Sequence, residues 1–427
     1  MADEVQDSTL HGQLFRCASW GVRPPVLNSL ARTTTEREDG PAVQALDRLL
    51  QQAVQWDASD IHIEPRGGEA RVRLRIDGLL HEVDVLPADL RDRVVSRIKV
   101  LSGLDIAERR VPQDGRVKVT IDHHALDCRV STLPTLLGEK VVMRLLQPAA
   151  VSRDLHSLGY DPDQLTWVLQ TVNSAQGMVL VTGPTGSGKT VSLYACLRAM
   201  NRQHLNISTV EDPVEIELEG INQVQVHEKA GLSFATALRA FLRQDPDVLM
   251  VGEIRDLETA DMAVKAAQTG HLVLSTLHTN DAPSTLSRLM HMGVPSHLLA
   301  ASLSLVIAQR LLRRLCDHCK TPVRHTDAAL LQAGLEPVLL MDQGQSWQAY
   351  AAQGCSACHG GLRGRLGVFQ VMPVTTELQH LMVAQRSVAE LAAQAAQAGV
   401  KTLRQVALDR MRSGLCTLED VLSGTPH

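Results

Sequence analysis

A glycine-rich segment, placed between an apolar run and a helical pattern, constrains this chain more than any other feature. It reads Gly183-Pro184-Thr185-Gly186-Ser187-Gly188-Lys189-Thr190. Residues 178–181 before it form an apolar run, and residues 191–200 after it repeat apolar positions at helical spacing. A strand, a glycine-rich loop and a helix in this order bind phosphate, because glycines let backbone N–H groups turn inward and the helix N-terminus adds positive dipole. The sequence therefore predicts a nucleotide site in an α/β domain.

Two side chains of this loop have expected roles. Lys189 is expected to reach the β- and γ-phosphates of ATP. The hydroxyl of Thr190 is expected to take a Mg²⁺ position. The loop alone does not distinguish a kinase from a motor.

Three further apolar runs indicate strands buried on both faces, at 207–210, 248–251 and 272–274. Glu211 and Asp212 follow the first run, Glu253 follows the second, and the third leads to His278. Parallel strands bring their carboxyl ends to one edge, so we expect these side chains beside the glycine-rich loop. Glu211 and Glu253 then suit two roles, positioning the attacking water and holding Mg²⁺ through its outer shell, while His278 could contact the γ-phosphate. An N-cap or a solvated strand end is the alternative for any one of them.

Two C-x-x-C pairs suggest a metal site, formed by Cys316, Cys319, Cys355 and Cys358. Four thiolates suit a closed, structural Zn²⁺ site with tetrahedral geometry. A redox pair and coincidence are the alternatives. The remaining four cysteines are unpaired in the sequence and are expected to be small buried hydrophobes: Cys17, Cys128, Cys196 and Cys416.

Composition excludes several classes of protein. The 427 residues exceed one compact core, and 44% hydrophobic with 21% charged residues is typical of soluble globular chains. A net charge of −5 and 3% aromatic residues argue against direct nucleic-acid binding. The strongest apolar candidate for a membrane span, residues 298–308, is too short and contains Ser302 and Ser304. The acidic N-terminus does not resemble a signal peptide, so we expect a cytoplasmic protein with reduced thiols.

The pattern along the chain predicts two folded domains and two less regular segments. We expect a flexible leader, a small α+β domain, a linker and an ATPase domain that includes a zinc subdomain and C-terminal helices. The leader is predicted at 1–40, the α+β domain at 41–147, the linker at 148–158 and the ATPase domain at 159–427. Within the ATPase domain, the zinc subdomain is expected at about 314–370 and the C-terminal helices at 375–422.

From about residue 58 to 422 the chain resembles the hexameric ATPases of the secretion superfamily, which power type II secretion and type IV pilus assembly. In the first domain the resemblance rests on the segments at 58–65, 75–78, 104–116 and 129–132. In the motor domain it rests on an acidic "Asp box" at 209–215, a Walker B segment at 242–256 with Glu253 in place of Asp, and a "His box" at 269–280 that contains His271 and His278. The paired C-x-x-C resembles the zinc subdomain of secretion and pilus-extension members, which retraction members lack.

This resemblance implies a PAS-like first domain joined to a RecA-like motor domain, in a ring of six copies with ATP, Mg²⁺ and Zn²⁺. It also implies catalytic roles for Glu211, Asp212, Glu253, His271 and His278. Arginines of the first domain would close over the phosphates; Arg116 and Arg129 are the candidates there, with Arg239 and Arg243 in the motor domain. A surface ion pair is the alternative for each arginine.

The function implied is an ATPase motor of a type II secretion system, peripheral at the inner membrane through a platform protein. A pilus-extension ATPase and a DNA-uptake motor are alternatives within the superfamily. The alternative that is not an enzyme is a scaffold or regulator that binds ATP. Many members carry a further N-terminal domain that docks on an inner-membrane partner. Only about 40 residues precede the first helix here, too few for an ordinary domain, so a different recruitment is expected.

Overall fold

A computed structural model of the protein describes residues 40–121, 124–146, 153–335 and 348–426. The predicted leader up to residue 39, Cys17 within it and the first half of the predicted linker lie outside these ranges. Within the described residues, no helix is both long enough and apolar enough to cross a membrane.

The first part of the chain forms one six-stranded antiparallel sheet with two helices. The helices are α1 (Pro41–Gln55) and α2 (Ala88–Leu101). The strands are β1 (Asp60–Arg66), β2 (Glu69–Ile76), β3 (Leu79–Pro87), β4 (Gln113–Ile121), β5 (His124–Thr135) and β6 (Gly138–Leu146), in the sheet order β3-β2-β1-β6-β5-β4. Alternate residues such as Ile61, Ile63 and Val72 are buried in one core with Leu46 and Leu49 of α1. The period-two pattern of the sequence thus becomes a sheet with one apolar face.

The opposite face of this sheet carries a network of ion pairs, which we call the charged face. The Glu64 carboxylate contacts Arg71 at 3.1 Å, Arg73 at 2.7 Å and Lys140 at 2.9 Å. Asp60, on the same strand, contacts Arg144 at 3.0 Å and Arg75 at 3.6 Å. Burial alone would raise the pKa of Glu64, but its hydrogen bonds with Arg73 and Lys140 hold that pKa at about 2.

The rest of the chain is built around a seven-stranded sheet. Its strands are β7 (Gly177–Thr182), β8 (Ile207–Glu211), β9 (Asn222–Gln225), β10 (Val248–Val251), β11 (Leu272–Leu277), β12 (Leu303–Leu315) and β15 (Leu362–Pro373). Two short strands, β13 (Thr321–Val323) and β14 (Ala349–Ala351), form a separate antiparallel pair. The sheet order is β15-β12-β7-β11-β10-β8-β9, and every pairing is parallel except that of β12 with β15.

Helices cover both faces of this sheet and continue to the C-terminus. They are α3 (Pro162–Val172), α4 (Lys189–Met200), α5 (Phe234–Phe241), α6 (Leu257–Gln268), α7 (Ala282–His291), α8 (Ser296–Ser302), α9 (Asp327–Gln332), α10 (Thr376–Val383), α11 (Val388–Gln397), α12 (Leu403–Arg412) and α13 (Leu418–Gly424). Met178 and Leu180 of β7 pack into one core, and Val179 and Val181 pack into another. The strand is therefore apolar throughout because both of its faces are buried.

The architecture confirms the predicted fold class: an α/β motor sheet preceded by a small α+β unit, with clustered cysteines and a helical C-terminus. The apolar run at 298–308 is the end of α8 followed by the start of β12. Strands β12 and β15 belong to the main sheet. The segment between these two strands is 316–361, and the zinc subdomain at about 314–370 stays a prediction, as do the other domain bounds.

Candidate functional site

The glycine-rich loop connects β7 to α4 and forms a cradle at the carboxyl edge of the sheet. Gly183, Gly186 and Gly188 all have positive φ, at 147°, 80° and 88°. A Cβ on Gly183 would lie 2.5 Å from the Gln309 carbonyl oxygen, and one on Gly188 would lie 2.8 Å from Gln309 Nε2. On Gly186 it would meet nothing within 4 Å. The loop is thus packed against β12 on one side and open on the other, as a phosphate cradle requires.

Polar groups of this loop have unfilled hydrogen-bonding capacity. Lys189 Nζ donates to the carbonyl oxygens of Gly183, at 2.8 Å, and Pro184, at 3.1 Å. Burial lowers the pKa of Lys189, and the charge of Glu253 opposes this shift. Ser187 Oγ is buried with no hydrogen-bond partner among the described residues, and Thr190 is exposed in the first turn of α4. A buried hydroxyl without a partner fits a site completed by phosphate oxygens.

Glu211, the last residue of β8, is buried and held by three donors. Its Oε1 accepts from Thr209 Oγ1 at 2.7 Å and from Gln223 Nε2 at 3.1 Å. Its Oε2 accepts from the hydroxyl of Tyr194, on α4. The Glu211 residue is only 4% exposed. The predicted residue therefore lies at the expected edge, but both of its oxygens are already engaged by protein.

Glu253 lies just beyond β10 in a more open group of charges. Arg255 contacts the Glu253 carboxylate and also approaches Asp212, at 3.4 Å. His278 Nε2 lies 3.6 Å from Glu253 Oε2. The hydrogen bond with Glu253 raises the pKa of Arg255. Asp212 and Glu253, predicted separately from two strand ends, thus share Arg255, and His278, from a third strand end, lies beside Glu253.

His271 lies at the other end of its strand. It precedes β11, where Leu272 pairs with Gly177 at the start of β7, whereas Leu277 pairs with Thr182 beside the loop. Its Nδ1 lies 3.0 Å from the carbonyl oxygen of Ala266. Within one copy of the chain the structure therefore does not bring His271 to the glycine-rich loop.

The four arginine candidates have different surroundings. Arg129 of β5 reaches the motor domain, where Nη2 donates to Glu215, at 2.9 Å, and to the Val214 carbonyl, at 3.2 Å. Its cross-strand neighbour Arg116 forms a two-point ion pair with Asp127. Arg129 is therefore bound to the same acidic segment that contains Glu211.

The motor-domain candidates pair within their own region. Arg239 contacts Glu258 at 2.7 Å, and Arg243 donates to the carbonyl oxygen of Arg239. Neither contact brings these guanidinium groups to the glycine-rich loop.

Three residues at this edge were given no role from the sequence: Tyr194, Arg255 and Arg310. Arg310 is 8% exposed, donates to the carbonyl oxygens of Gln309 and Asn280, and lies next to Gly183. Burial lowers the pKa of this guanidinium group. Arg255 stands two positions after Glu253, which is the one sequence signal that could have drawn attention to it.

The four predicted cysteine ligands lie together, with their sulfur atoms all within 4.8 Å of one another. The Sγ atoms of Cys316 and Cys355 are 3.9 Å apart, and the Sγ atoms of Cys319 and Cys358 are 3.6 Å apart. Tetrahedral zinc with bonds of about 2.3 Å places its ligand sulfurs about 3.8 Å apart. The cluster therefore fits Zn²⁺, and β12 and β15 position it because Cys316 follows one strand and Cys358 precedes the other.

Next to this cluster, His359 contacts the first domain. Its ring lies 4.4 Å from that of Trp56 and 5.8 Å from that of His81, measured between ring centroids. Gly364 N donates to the Asp77 side chain at 2.7 Å. Residues close to the cysteine cluster thus contact the first domain within one chain.

Comparison with known proteins identifies the family. A family model described as "Type II/IV secretion system protein" matches residues 35–423. The "Type IV pilus assembly ATPase PilB" of Acinetobacter baylyi is 49% identical over 90% of this chain and 66% of the relative. The "Type II secretion system ATPase E" of Vibrio cholerae is 44% identical over 91% of this chain and 76% of the relative. The chain spans about two thirds of the length of the pilus assembly relative.

A solved structure supports the same relationship. The pilus retraction motor PilT with bound ADP superimposes with a TM-score of 0.60 at 25% identity, over 90% of this chain and 97% of PilT. With a family match over most of the chain and the nucleotide cradle in place, the chain belongs to the type II/IV secretion system ATPase family.

Proposed function

We propose that this chain is an ATP-hydrolysing motor that drives assembly of a pseudopilus or pilus, with protein export by a type II secretion system as the output favoured from the sequence. The observation that carries this proposal is one sheet edge that holds the open glycine-rich cradle, the buried Glu211 and the Glu253 group. These are the parts that ATP hydrolysis needs: a phosphate cradle, a cation and carboxylates.

The residues divide the work of hydrolysis as follows. Lys189 and the backbone of the cradle bind the phosphates, and Thr190 offers a hydroxyl ligand for Mg²⁺. Glu253, which is more open than Glu211, suits the outer shell of the cation, and His278 beside it suits contact with the γ-phosphate. Glu211, held by three donors, orients the attacking water. Bound Mg²⁺ supplies charge neutralisation on the phosphates.

Zinc would have a structural role at the four cysteines, since four thiolates leave no open coordination position. The cluster lies between the ends of β12 and β15, and the adjacent residue His359 contacts Trp56 of the first domain. Zinc therefore ties a strand beside the glycine-rich loop to the domain that carries Arg129.

The motor acts as a ring of six copies at the cytoplasmic side of the inner membrane, through a platform protein. Arg129 supports the link between domains, because it already joins the first sheet to the acidic segment at Glu215. Exchange of this arginine between Glu215 and phosphate would convert hydrolysis into domain movement.

Relatives named as pilus assembly ATPases are 42–50% identical to this chain, and those named for type II secretion are 44–45% identical. The two ranges overlap, so identity does not separate a pilus from a secretion machine. The machine has to be identified by its partners.

The test captures those partners from native cells. A tagged Glu253→Gln chain, which binds ATP but does not turn it over, is cross-linked, and co-purifying membrane proteins are identified by mass spectrometry. Glu377→Gln, an exposed change in the first turn of α10, serves as the matched control. Pseudopilins with a secretion platform support export, and pilins with a pilus platform identify pilus assembly. Capture of neither, or a wild-type chain without ATPase activity, contradicts the proposal.

A further inference from the structure

Tyr194 is a fully buried tyrosine whose hydroxyl faces a candidate catalytic carboxylate. It stands five residues after Lys189 on α4, and its exposed fraction is 0%. Five residues correspond to about 500° of helical rotation, so the two side chains leave the helix in different directions. Lys189 turns to the glycine-rich loop, whereas Tyr194 donates to Glu211 Oε2 at the end of β8. One helix thus contacts both the cradle and the acidic segment.

Neutral donors, with no cation among them, surround the Glu211 carboxylate. Thr209 and Gln223 donate to Oε1, and Tyr194 alone donates to Oε2. Among the described residues, no ion pair involves Glu211. A buried carboxylate is costly unless it is hydrogen-bonded, so each donor has a large effect on its orientation.

The surroundings of the phenol fix its direction of donation. Burial, followed by the adjacent Glu211 charge, raises the pKa of Tyr194, so the hydroxyl keeps its proton. The same oxygen accepts from the backbone N–H of Glu215 at 3.4 Å. Accepting from Glu215 aims the remaining O–H at Glu211. The hydroxyl therefore links the carboxylate to the segment that Arg129 contacts.

We propose that Tyr194 is a positioning residue for ATP hydrolysis, whose hydroxyl holds Oε2 of Glu211 in the orientation needed to direct the attacking water. It makes no contact with the phosphates and acts only through Glu211. This inference rests on the proposed role of Glu211 and deepens it. Without the hydroxyl, Oε2 has no side-chain donor among the described residues, and the carboxylate is held through Oε1 alone.

The experiment replaces Tyr194 with Phe in the full chain, which keeps the buried ring and removes only the hydroxyl. We expect kcat for ATP to fall at least about tenfold, the usual cost of removing a hydrogen bond to a charged group. KM and the Kd for a non-hydrolysable ATP analogue stay within about twofold, because the cradle is untouched. Thermal unfolding verifies that the variant is folded.

Tyr160→Phe is the matched control. Its hydroxyl is also buried, but its ring stacks on Phe369, 4.0 Å away between centroids, and not against Glu211. We expect kcat of this variant to match the wild type. An equal loss in both variants would mean that any buried phenol has this effect, and would overturn the proposal.

A double-mutant cycle separates this proposal from the role of Glu211 itself. In a Glu211→Gln background, the residual single-turnover rate should be nearly insensitive to Tyr194→Phe. A further tenfold loss there, or a weaker Kd for the analogue in Tyr194→Phe, would show that the tyrosine acts elsewhere and overturn the proposal.

If Glu211→Gln is slow while Tyr194→Phe is fully active, the role of Glu211 stands and that of Tyr194 is wrong. If Glu211→Gln is fully active, the proposed role of Glu211 fails, and that of Tyr194 fails with it.

Discussion

The charged face of the first sheet and the carboxyl edge of the second collect polar residues in opposite ways. On the charged face, Glu64 has three cations around it and Asp60 has two. At the edge, Lys189 contacts only backbone carbonyl oxygens, and Ser187 Oγ is buried without a partner among the described residues. Farther along β12, the sulfur atoms of four cysteines lie within 4.8 Å of one another.

The difference separates carboxylates whose charge is balanced by the protein's own cations from groups that we propose are completed by a ligand. A buried polar group costs free energy until it is paired. On the charged face the carboxylates of Glu64 and Asp60 are balanced by cations of the same sheet, although the ring nitrogens of His62 and the Nε atoms of Arg71 and Arg73 are buried without a partner among the described residues. At the edge, Ser187 Oγ is left without a partner among the described residues, and we propose that a nucleotide completes that site and a metal ion completes the cysteine cluster. The following predictions test this contrast.

Removal of zinc should have the largest effect. Chelation or Cys355→Ser should lower the free energy of unfolding by about 5 kcal/mol, because four thiolates lose the ion that holds them together. Denaturant unfolding checks the stability, and metal analysis should give one zinc ion per chain. Cys128→Ser, a buried cysteine in the first sheet, is the control and should keep its zinc. A metal-free chain with unchanged stability would show that the cysteine cluster does not depend on a metal ion.

Lys189→Ala should lower kcat/KM for ATP about 1,000-fold, roughly 4 kcal/mol, because the phosphates lose their main cation. Its stability should hardly change, since Lys189 forms no ion pair among the described residues. Steady-state ATPase assays and thermal unfolding measure the two quantities. Lys265→Ala, which removes an exposed ion pair on α6, is the control. A stable, fully active Lys189→Ala chain would contradict the assignment of this edge to phosphate.

Glu64 should show the reverse pattern, with stability affected and ATPase chemistry preserved at neutral pH. Its pKa of about 2 lies below the ordinary value of 4.5, so its contribution is fully present above pH 4.5 and is lost as the pH falls toward 2. The shift corresponds to at most about 3 kcal/mol. Denaturant unfolding from pH 7 to pH 2 should reveal this dependence in the wild type and a smaller one in Glu64→Gln. Identical pH dependences would show that the ion network contributes nothing.

Local patterns in the sequence predict much of this molecule. The glycine-rich loop needs only consecutive residues, so the strand and helix around it follow directly. The capping box that Ser387 and Glu390 form at the start of α11 is likewise local, because it involves residues only three positions apart. Strand ends brought Glu211, Glu253 and His278 to the correct edge. His271 precedes its strand, and the same reasoning would have placed it at the opposite edge.

Features that depend on tertiary contacts were harder to predict. Strand β12 follows α8 with no turn residue between Ser302 and Leu303, so one apolar run conceals two elements. Tyr194 looks like an ordinary core residue of an apolar helix, and its partner lies on another element 17 residues away. Arg310 sits inside a buried strand, where only the fold brings it to the glycine-rich loop.

Strand β12 also has a mechanical consequence. Its last pair with β7 joins Ala308 to Thr182, next to the glycine-rich loop, and the strand continues to Leu315 beside the first cysteine. Seven residues of strand extend about 23 Å. If β12 turned as one unit about its last pair with β7, a rotation of about 10° would displace Leu315 by about 4 Å. A small change at the glycine-rich loop would then be enlarged at the cysteine cluster, close to His359 and its contact with Trp56.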